Sequence, residues 1–219
     1  MRRKLQNQEV AQIAEWIEKR GFSYEDVRLE ILDHVVCAME DLMTEQPKLS
    51  LDEAYQQVHQ SFGIFGFSTL EDAFIKSTEK RIFRAFFQEL LRLLKPKGLL
   101  FTSSFLLSIA TIYTLAGNAF VVYIPLLVSL FFITKRIGIY KREKSLRRML
   151  SFRMALSPTA FTLFWSIYLN IWFGKTETSD YPWLWPGVVA LFGLIEWAQW
   201  QVTLNELDRT KRLQSKLIA

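Results

Sequence analysis

The chain has 219 residues, room for one or two domains, and half of its residues are hydrophobic. Residues 1–94 hold 12 Lys/Arg and 16 Asp/Glu, whereas residues 95–219 hold 15 and 6, so the net charge of +5 conceals an acidic first part and a basic second part. The acidic first part argues against direct binding of nucleic acid, and the single cysteine, Cys37, excludes an internal disulfide.

Residues 1–94 have the periodicity of amphipathic helices. Apolar residues recur at helical spacing from Val10 to Ile17, and Gly21 is expected to end this first helix. A second stripe runs from Val27 to Leu42, and Pro47 closes it. We therefore predict a small helical domain over residues 1–66, followed by a linking amphipathic helix over residues 67–97.

Two capping patterns support these helix boundaries. Ser23 followed by Asp26, and Ser50 followed by Glu53, have the spacing of a capping box, in which each partner bonds a free backbone N–H of the other. Each pattern predicts a helix beginning just after its serine.

The segment from Gly21 to Glu40 resembles the opening of the HAAS-type, or permease-prefix, domains of bacterial membrane proteins. The segment from Ser50 to Tyr55, followed by Phe62-Gly63, is similar to the rest of that pattern. Its most specific part is the family motif Asp33, His34, Cys37 and Glu40. The resemblance implies a cytosolic domain that precedes membrane helices and is linked with PadR-like regulators or ABC-type permeases.

The motif residues also raise a metal hypothesis. His34 and Cys37 are three apart on a helix, and Glu40 with His59 would complete four ligands if the second and third helices pack together. The alternative, which we favour, makes Cys37 a small core residue and uses Asp33 and His34 in helix packing. We predict no bound metal.

Four apolar runs follow, at about residues 99–116, 119–134, 156–173 and 183–200. Each has roughly the length of a helix that crosses a hydrocarbon core about 30 Å thick. Four such runs in succession are too many to hide in the core of so short a chain. We predict a four-span transmembrane domain over residues 98–200, in two hairpins, and a cytosolic tail over residues 201–219.

The distribution of charge predicts the orientation. Cations cluster before the first span, after the second and after the fourth, which places both termini in the cytosol of a multi-pass protein of the cytoplasmic (inner) membrane. The loop after the second span is the most basic segment, and it contains Lys135, Arg136, Lys141, Arg142, Lys144, Arg147 and Arg148. This basic loop could also bind the acidic N-terminal domain or anionic lipids.

Polar residues within the predicted spans are few. Asn170 lies near the outer end of the third span, and Glu196 lies about one turn from the inner end of the fourth. An intramembrane carboxylate is a functional candidate by default, but here it could also reach the interface or pair with a basic loop residue. Pro125 is expected to kink the second span.

Together these observations predict an all-α, non-enzymatic membrane protein without cofactors. No glycine-rich phosphate loop, His-Glu-x-x-His or Gly-x-Ser-x-Gly motif is present. The N-terminal domain would bind a partner, such as a regulator or a transporter subunit, and the protein would act as a membrane-anchored sensor or accessory protein. One alternative is a small homo-oligomeric transporter or channel, and another is a metal- or redox-responsive sensor.

Overall fold

The structure, a computed structural model, describes residues 3–116, 123–157, 164–168, 171 and 184–218. These residues contain no strand, so the predicted all-α class is confirmed for them. Residues 164–168 are helical, and a 3₁₀ turn covers Ser145–Arg148. The longer helices are α1 (Asn7–Glu18), α2 (Glu25–Glu45), α3 (Leu51–Ser61), α4 (Ser68–Leu93), α5 (Pro96–Ala116), α6 (Ile124–Arg142), α7 (Leu150–Leu156) and α8 (Leu184–Ile218).

The chain divides into two compact units. The first, called here the N-terminal unit, comprises Met1–Lys80 together with Arg148–Ser151. In it α2 packs against both α1 and α3. The core is formed by the periodic apolar positions of these helices and by Phe67, and its fully buried members include Ile13, Ile17, Val27, Ile31, Val35, Met39 and Met43.

Local sequence sets the ends of these helices. The predicted Ser50–Glu53 capping box is present: the Glu53 N–H donates to Ser50 Oγ, and the Ser50 backbone N–H donates to the Glu53 carboxylate. The Ser50 hydroxyl also donates to the Glu53 carboxylate at 2.7 Å, and this hydrogen bond, together with that from the Ser50 backbone N–H, lowers the pKa of Glu53. Gly21 follows α1 with φ +90°, a left-handed conformation that glycine adopts without strain.

The Ser23–Asp26 capping prediction is wrong. Helix α2 begins at Glu25 after Tyr24, with no capping hydrogen bond from a side chain at that position. Asp26 is buried, and its carboxylate binds a different part of the chain, as described below.

The second unit comprises Arg81–Arg147 and Phe152–Ala219, and in it α8 packs against α5 and α6. Gly193 on α8 makes room for Phe105 on α5, since a Cβ at that position would lie 2.6 Å from Phe105 Cζ. A Cβ at Gly98 would lie only 2.2 Å from the Arg92 carbonyl oxygen, so the close turn between α4 and α5 requires glycine.

One helix segment in the described residues, Pro96–Leu115, is long and apolar enough to cross a membrane. It contains the first predicted span. In α6, the apolar part of the second predicted span is only residues 124–134, because charged residues follow from Lys135. The fourth predicted span is less apolar, because it contains Glu196, Trp197 and Trp200. Most of the third run lies outside the described residues. The four-span arrangement therefore stays a prediction.

One further expectation is corrected. Pro125 lies in the first turn of α6, where a backbone N–H would have no partner within the helix, so it does not kink the described helix. Helix α8 continues without interruption to Ile218, so the predicted cytosolic tail is helical as far as that residue, and its location stays a prediction. In α8, Glu206 accepts two hydrogen bonds from Arg81, at 3.2 and 3.1 Å, and this pair ties the helix to α4.

Candidate functional site

The four residues of the metal hypothesis do not form a cluster. Of the described residues, no group of three His, Cys, Asp or Glu side chains is placed to hold a metal ion. His34 Nε2 lies 3.6 Å from Glu30 on the same helix, whereas the His59 ring packs edge-on against Phe67 at 4.9 Å. Glu40 accepts a hydrogen bond from the Leu5 N–H at 3.0 Å.

The expected core position of Cys37 is wrong. Its side chain is exposed on α2, as is Asp33, because the buried face of this helix is taken by Ile31, Val35 and Met39. The family motif residues therefore lie mainly on the outer side of α2 and are not part of its core.

Helix α6 extends through the first part of the predicted basic loop. Lys135, Arg136, Lys141 and Arg142 are all helical, because α6 ends only at Arg142. Lys135 lies over the Phe131 ring, with Nζ 5.5 Å from its centre. The apolar run therefore marked the start of a longer helix and not its full length.

The remaining loop cations have specific contacts or face solvent. Arg147 closes the end of α6 by donating to the carbonyl oxygens of Tyr140 and Lys141, at 2.9 and 3.2 Å. Lys144 is exposed in the turn that follows. Arg148, which belongs to the N-terminal unit, lies 3.6 Å from Glu25.

Asp26 binds the segment Arg148–Ser151, which the contact pattern assigns to the same unit. Its carboxylate accepts hydrogen bonds from the backbone N–H groups of Leu150 and Ser151, at 2.8 and 2.9 Å, and from the Ser151 hydroxyl at 2.8 Å. Leu150 packs against the core of the unit. Asp26 therefore binds the end of the basic loop through two backbone N–H groups and the Ser151 hydroxyl, and not through the cations of the loop.

A buried polar group links α6 and α8 in the second unit. Glu196 is 0% exposed and Arg136 is 2% exposed, and Arg136 Nη1 lies 3.4 Å from Glu196 Oε2. The buried Ser129 hydroxyl donates to Glu196 Oε1 at 3.2 Å. This group is called the Arg136–Glu196 pair below. Arg136 is therefore not a solvated loop cation. Of the two alternatives for Glu196, the structure has the pairing with a basic residue of the predicted loop and not contact with the surface.

A groove of about 320 Å³ lies in the same unit, between α5, α6 and α8. Its walls are almost entirely apolar and are formed by Phe101, Phe105, Leu127, Val128, Phe131, Phe132, Gly193, Leu194 and Trp197. Such a lining favours hydrocarbon over water or ions.

The turn between α3 and α4 exposes two large apolar side chains. Ile64 is fully exposed and Phe65 is 76% exposed. Gly63 and Gly66 flank them with φ of +71° and +52°, so the backbone of the turn takes a conformation that glycine favours. This segment, called the Ile64–Phe65 turn, contains the only large hydrophobic side chains that the described residues of the N-terminal unit leave strongly exposed.

Asn170, the other intramembrane polar candidate, lies outside the described residues. Comparison with known proteins gives no match, whether with family models, curated proteins or solved structures. The resemblance to permease-prefix domains stays a prediction, and the proposals below depend on the geometry of this chain.

Proposed function

We propose that this protein is a non-enzymatic, multi-pass protein of the cytoplasmic membrane whose N-terminal unit binds a partner protein. The observation that carries the partner-binding part is the exposure of Ile64 and Phe65 on a turn flanked by two glycines. Burying one such side chain contributes about 1.5–3 kcal/mol, so leaving both in water is costly unless another surface covers them.

The shape of the Ile64–Phe65 turn suits it to recognition. Phe67, next to it in sequence, is buried against Phe62 and His59, with ring centres 5.2 and 4.9 Å apart. The turn therefore presents its two side chains from an anchored base, and little conformational freedom is lost on binding. Aromatic anchors of this kind often carry much of the binding energy at protein interfaces.

Membrane insertion is supported by helix α5. Helix α5 packs against α8 on one side only, and just 6% of the most apolar part of the candidate span Pro96–Leu115 is buried. Leu107 and Leu115 are 68% and 84% exposed on it. A helix with so much exposed apolar surface is unfavourable in water and favourable in lipid. The charge distribution supports the four-span topology with both termini in the cytosol.

The resemblance to permease-prefix domains suggests the class of partner, a PadR-like regulator or an ABC permease subunit. In this proposal the protein is a membrane-anchored sensor or accessory protein. Direct binding of nucleic acid is not part of it, because residues 1–94 are net acidic.

Transport by a homo-oligomer is the alternative that involves Glu196. The geometry favours it less, because Arg136 and Ser129 already bind both carboxylate oxygens and the neighbouring groove is apolar. A flux measurement in liposomes tests it: transport that falls on Glu196→Gln would establish this role. A metal- or redox-responsive role would require that the purified protein binds zinc, or forms a disulfide between two chains, and that Cys37→Ser abolishes this.

The partner-binding proposal is tested by photocrosslinking in cells. A photoreactive phenylalanine analogue at Phe65 should give one discrete adduct with another protein, and Ile64→Ser should abolish it. The same analogue at Gln57, an exposed position on α3, is the matched control and should give none. Equal labelling from both positions, or none from Phe65, would contradict partner binding through this turn.

A further inference from the structure

Helix α4 carries a second exposed apolar surface, in its half that belongs to the second unit. Phe83, Phe87, Leu91 and Leu94 are 65%, 47%, 59% and 65% exposed. The spacing of four residues places Phe83, Phe87 and Leu91 on one face of the helix, and Leu94 follows directly after its last residue, Leu93. The opposite side is occupied by contacts, because Arg81 binds Glu206 and Leu93 is buried. This face is called the α4 stripe.

Cations border the α4 stripe. Arg84 is exposed one residue after Phe83, and Lys95 and Lys97 are exposed just beyond Leu94. The other two cations of this segment already have carboxylate partners: Arg81 binds Glu206, and Arg92 lies 2.8 Å from Glu89. Apolar side chains bordered by Lys and Arg are typical of helices that lie in the interface of an anionic membrane.

The stripe also continues into the candidate membrane span. Leu94 and Pro96 are separated by a single residue, and α5 begins at Pro96 with exposed Leu99 and Leu100 in its first turns. The turn is held closely, because Gly98 packs against the Arg92 carbonyl and the Thr102 hydroxyl donates to the Leu93 carbonyl at 3.3 Å. A bilayer that surrounds α5 would therefore begin where the stripe ends.

We propose that the α4 stripe lies in the surface of an anionic bilayer, with Phe83, Phe87, Leu91 and Leu94 below the headgroups and Arg84, Lys95 and Lys97 bound to lipid phosphates. This inference rests on the proposed function, because it requires α5 to span the membrane. It adds a second mode of lipid contact, in the plane of the membrane, and a preference for acidic headgroups.

Spin-label accessibility tests this arrangement in the full chain. The protein, with Cys37→Ser, carries a single label at Leu91, Gln88 or Leu107 and is reconstituted in discs of phosphatidylcholine with or without phosphatidylglycerol. Oxygen concentrates in lipid, whereas a nickel chelate stays in water. With phosphatidylglycerol, we expect the oxygen-to-nickel ratio to be several-fold higher at Leu91 than at Gln88, which is exposed on α4 but off the stripe.

The triple change Arg84→Gln, Lys95→Gln and Lys97→Gln should lower the ratio at Leu91 and leave Leu107 unchanged. A Leu91 label that meets the nickel chelate lies in water, and a Leu91 label shielded from both reagents lies against protein, such as a partner or a second copy. Either result overturns the inference.

The Leu107 label on α5 separates the α4 inference from the proposed function. If the Leu107 label contacts oxygen while the Leu91 label does not, only the α4 inference fails. If neither label contacts oxygen, membrane insertion fails too.

Discussion

Arg136 and Glu196 lie 60 residues apart in sequence, yet their charged groups meet at 3.4 Å inside the second unit, where both side chains are almost fully buried. Burying two charges costs several kcal/mol per ion unless they are paired and hydrogen-bonded. The Ser129 hydroxyl supplies one such hydrogen bond. Arg136 Nε and Nη2 have no hydrogen-bond partner among the described residues, so Glu196 is the main group that compensates the buried guanidinium.

Removing one member of this pair should destabilise the second unit strongly. Glu196→Gln leaves the Arg136 charge buried without a counter-charge, and we expect a loss of about 3 kcal/mol in the free energy of unfolding. The double variant Glu196→Leu with Arg136→Leu should recover most of that loss, because it removes both buried charges of the pair. Equilibrium unfolding in mixed detergent micelles measures both values.

The matched control is Glu143→Gln, which breaks the more exposed Lys211–Glu143 pair at 2.8 Å. Exposed ion pairs contribute at most about 1 kcal/mol. If Glu196→Gln were no more destabilising than Glu143→Gln, the buried pair would not have the energetic role assigned to it here.

Local sequence predicted the parts of the structure that depend on neighbouring residues. Helical spacing of Ile13, Ile17, Ile31 and Val35 identified core positions, since the buried face of a helix repeats every 3.6 residues. The Ser50 capping box was predictable for the same reason: both partners lie within one turn. Both signals lie within a single helix, so they can be recognised without knowing which helices pack against it.

Features that depend on distant partners were not predictable in this way. Asp26 matches a capping pattern, but its hydrogen-bond donors lie at Leu150 and Ser151. The sequence allowed Glu196 to pair with a loop cation but did not indicate which one. Arg136 follows an apolar run and resembles a solvated loop cation, whereas the contact with Glu196 makes its burial possible. The sequence did not predict the exposure of Ile64 and Phe65, because apolar residues between glycines are compatible with either burial or exposure. The glycines were the only local signal of an unusual turn.

Asp26→Asn should release the segment Arg148–Ser151 within the N-terminal unit. The amide keeps one acceptor oxygen but loses the charge and the second acceptor, so at least one of the donors at Leu150 and Ser151 is left unpaired. We expect a loss of about 1–3 kcal/mol, since this is the cost of an unsatisfied buried polar group. Hydrogen exchange should show faster exchange at the amides of Leu150 and Ser151.

The neighbouring change Glu25→Gln is the control for Asp26→Asn. It removes only the 3.6 Å contact to Arg148, whose side chain is 76% exposed, and should change exchange at Leu150 and Ser151 little. Comparable effects of the two variants would show that Asp26 does not hold this segment through its buried hydrogen bonds.

Three helical glycines should respond differently to replacement by alanine. Gly98→Ala should be the most destabilising, because the new Cβ meets the backbone oxygen of Arg92, which cannot move without shifting the turn between α4 and α5. Gly193→Ala should cost less, because the Phe105 ring can rotate into the adjacent groove. Gly138→Ala should stabilise by about 0.5–1 kcal/mol, because its Cβ enters open space on α6.

Unfolding free energies of the three variants in the same detergent provide the measurement. Gly138→Ala also serves as the control for general effects of alanine on helix formation. A Gly98→Ala protein as stable as Gly138→Ala would disprove the close contact described for the α4–α5 turn.

Protonation of His59 should lower the stability of the N-terminal unit in mild acid. Partial burial, and secondarily the charge of Arg20, lower the pKa of His59 below its usual value near 6.5. The unfolded chain therefore binds a proton at this residue more readily than the folded chain does. Stability is fully present above the unfolded pKa and is lost as the pH falls from about 6.5 towards the folded pKa.

An NMR titration of histidine-labelled protein measures this pKa directly. The chain has only two histidines, so His34→Gln leaves a single imidazole signal, that of His59. Arg20→Gln should raise the pKa of His59, because it removes the nearby positive charge, whereas Arg20→Lys keeps the charge and should leave the pKa low. Arg20 also donates to the Tyr55 hydroxyl at 3.0 Å, and both variants disturb that contact. An equal rise in both would therefore assign the effect to packing and reject the electrostatic explanation.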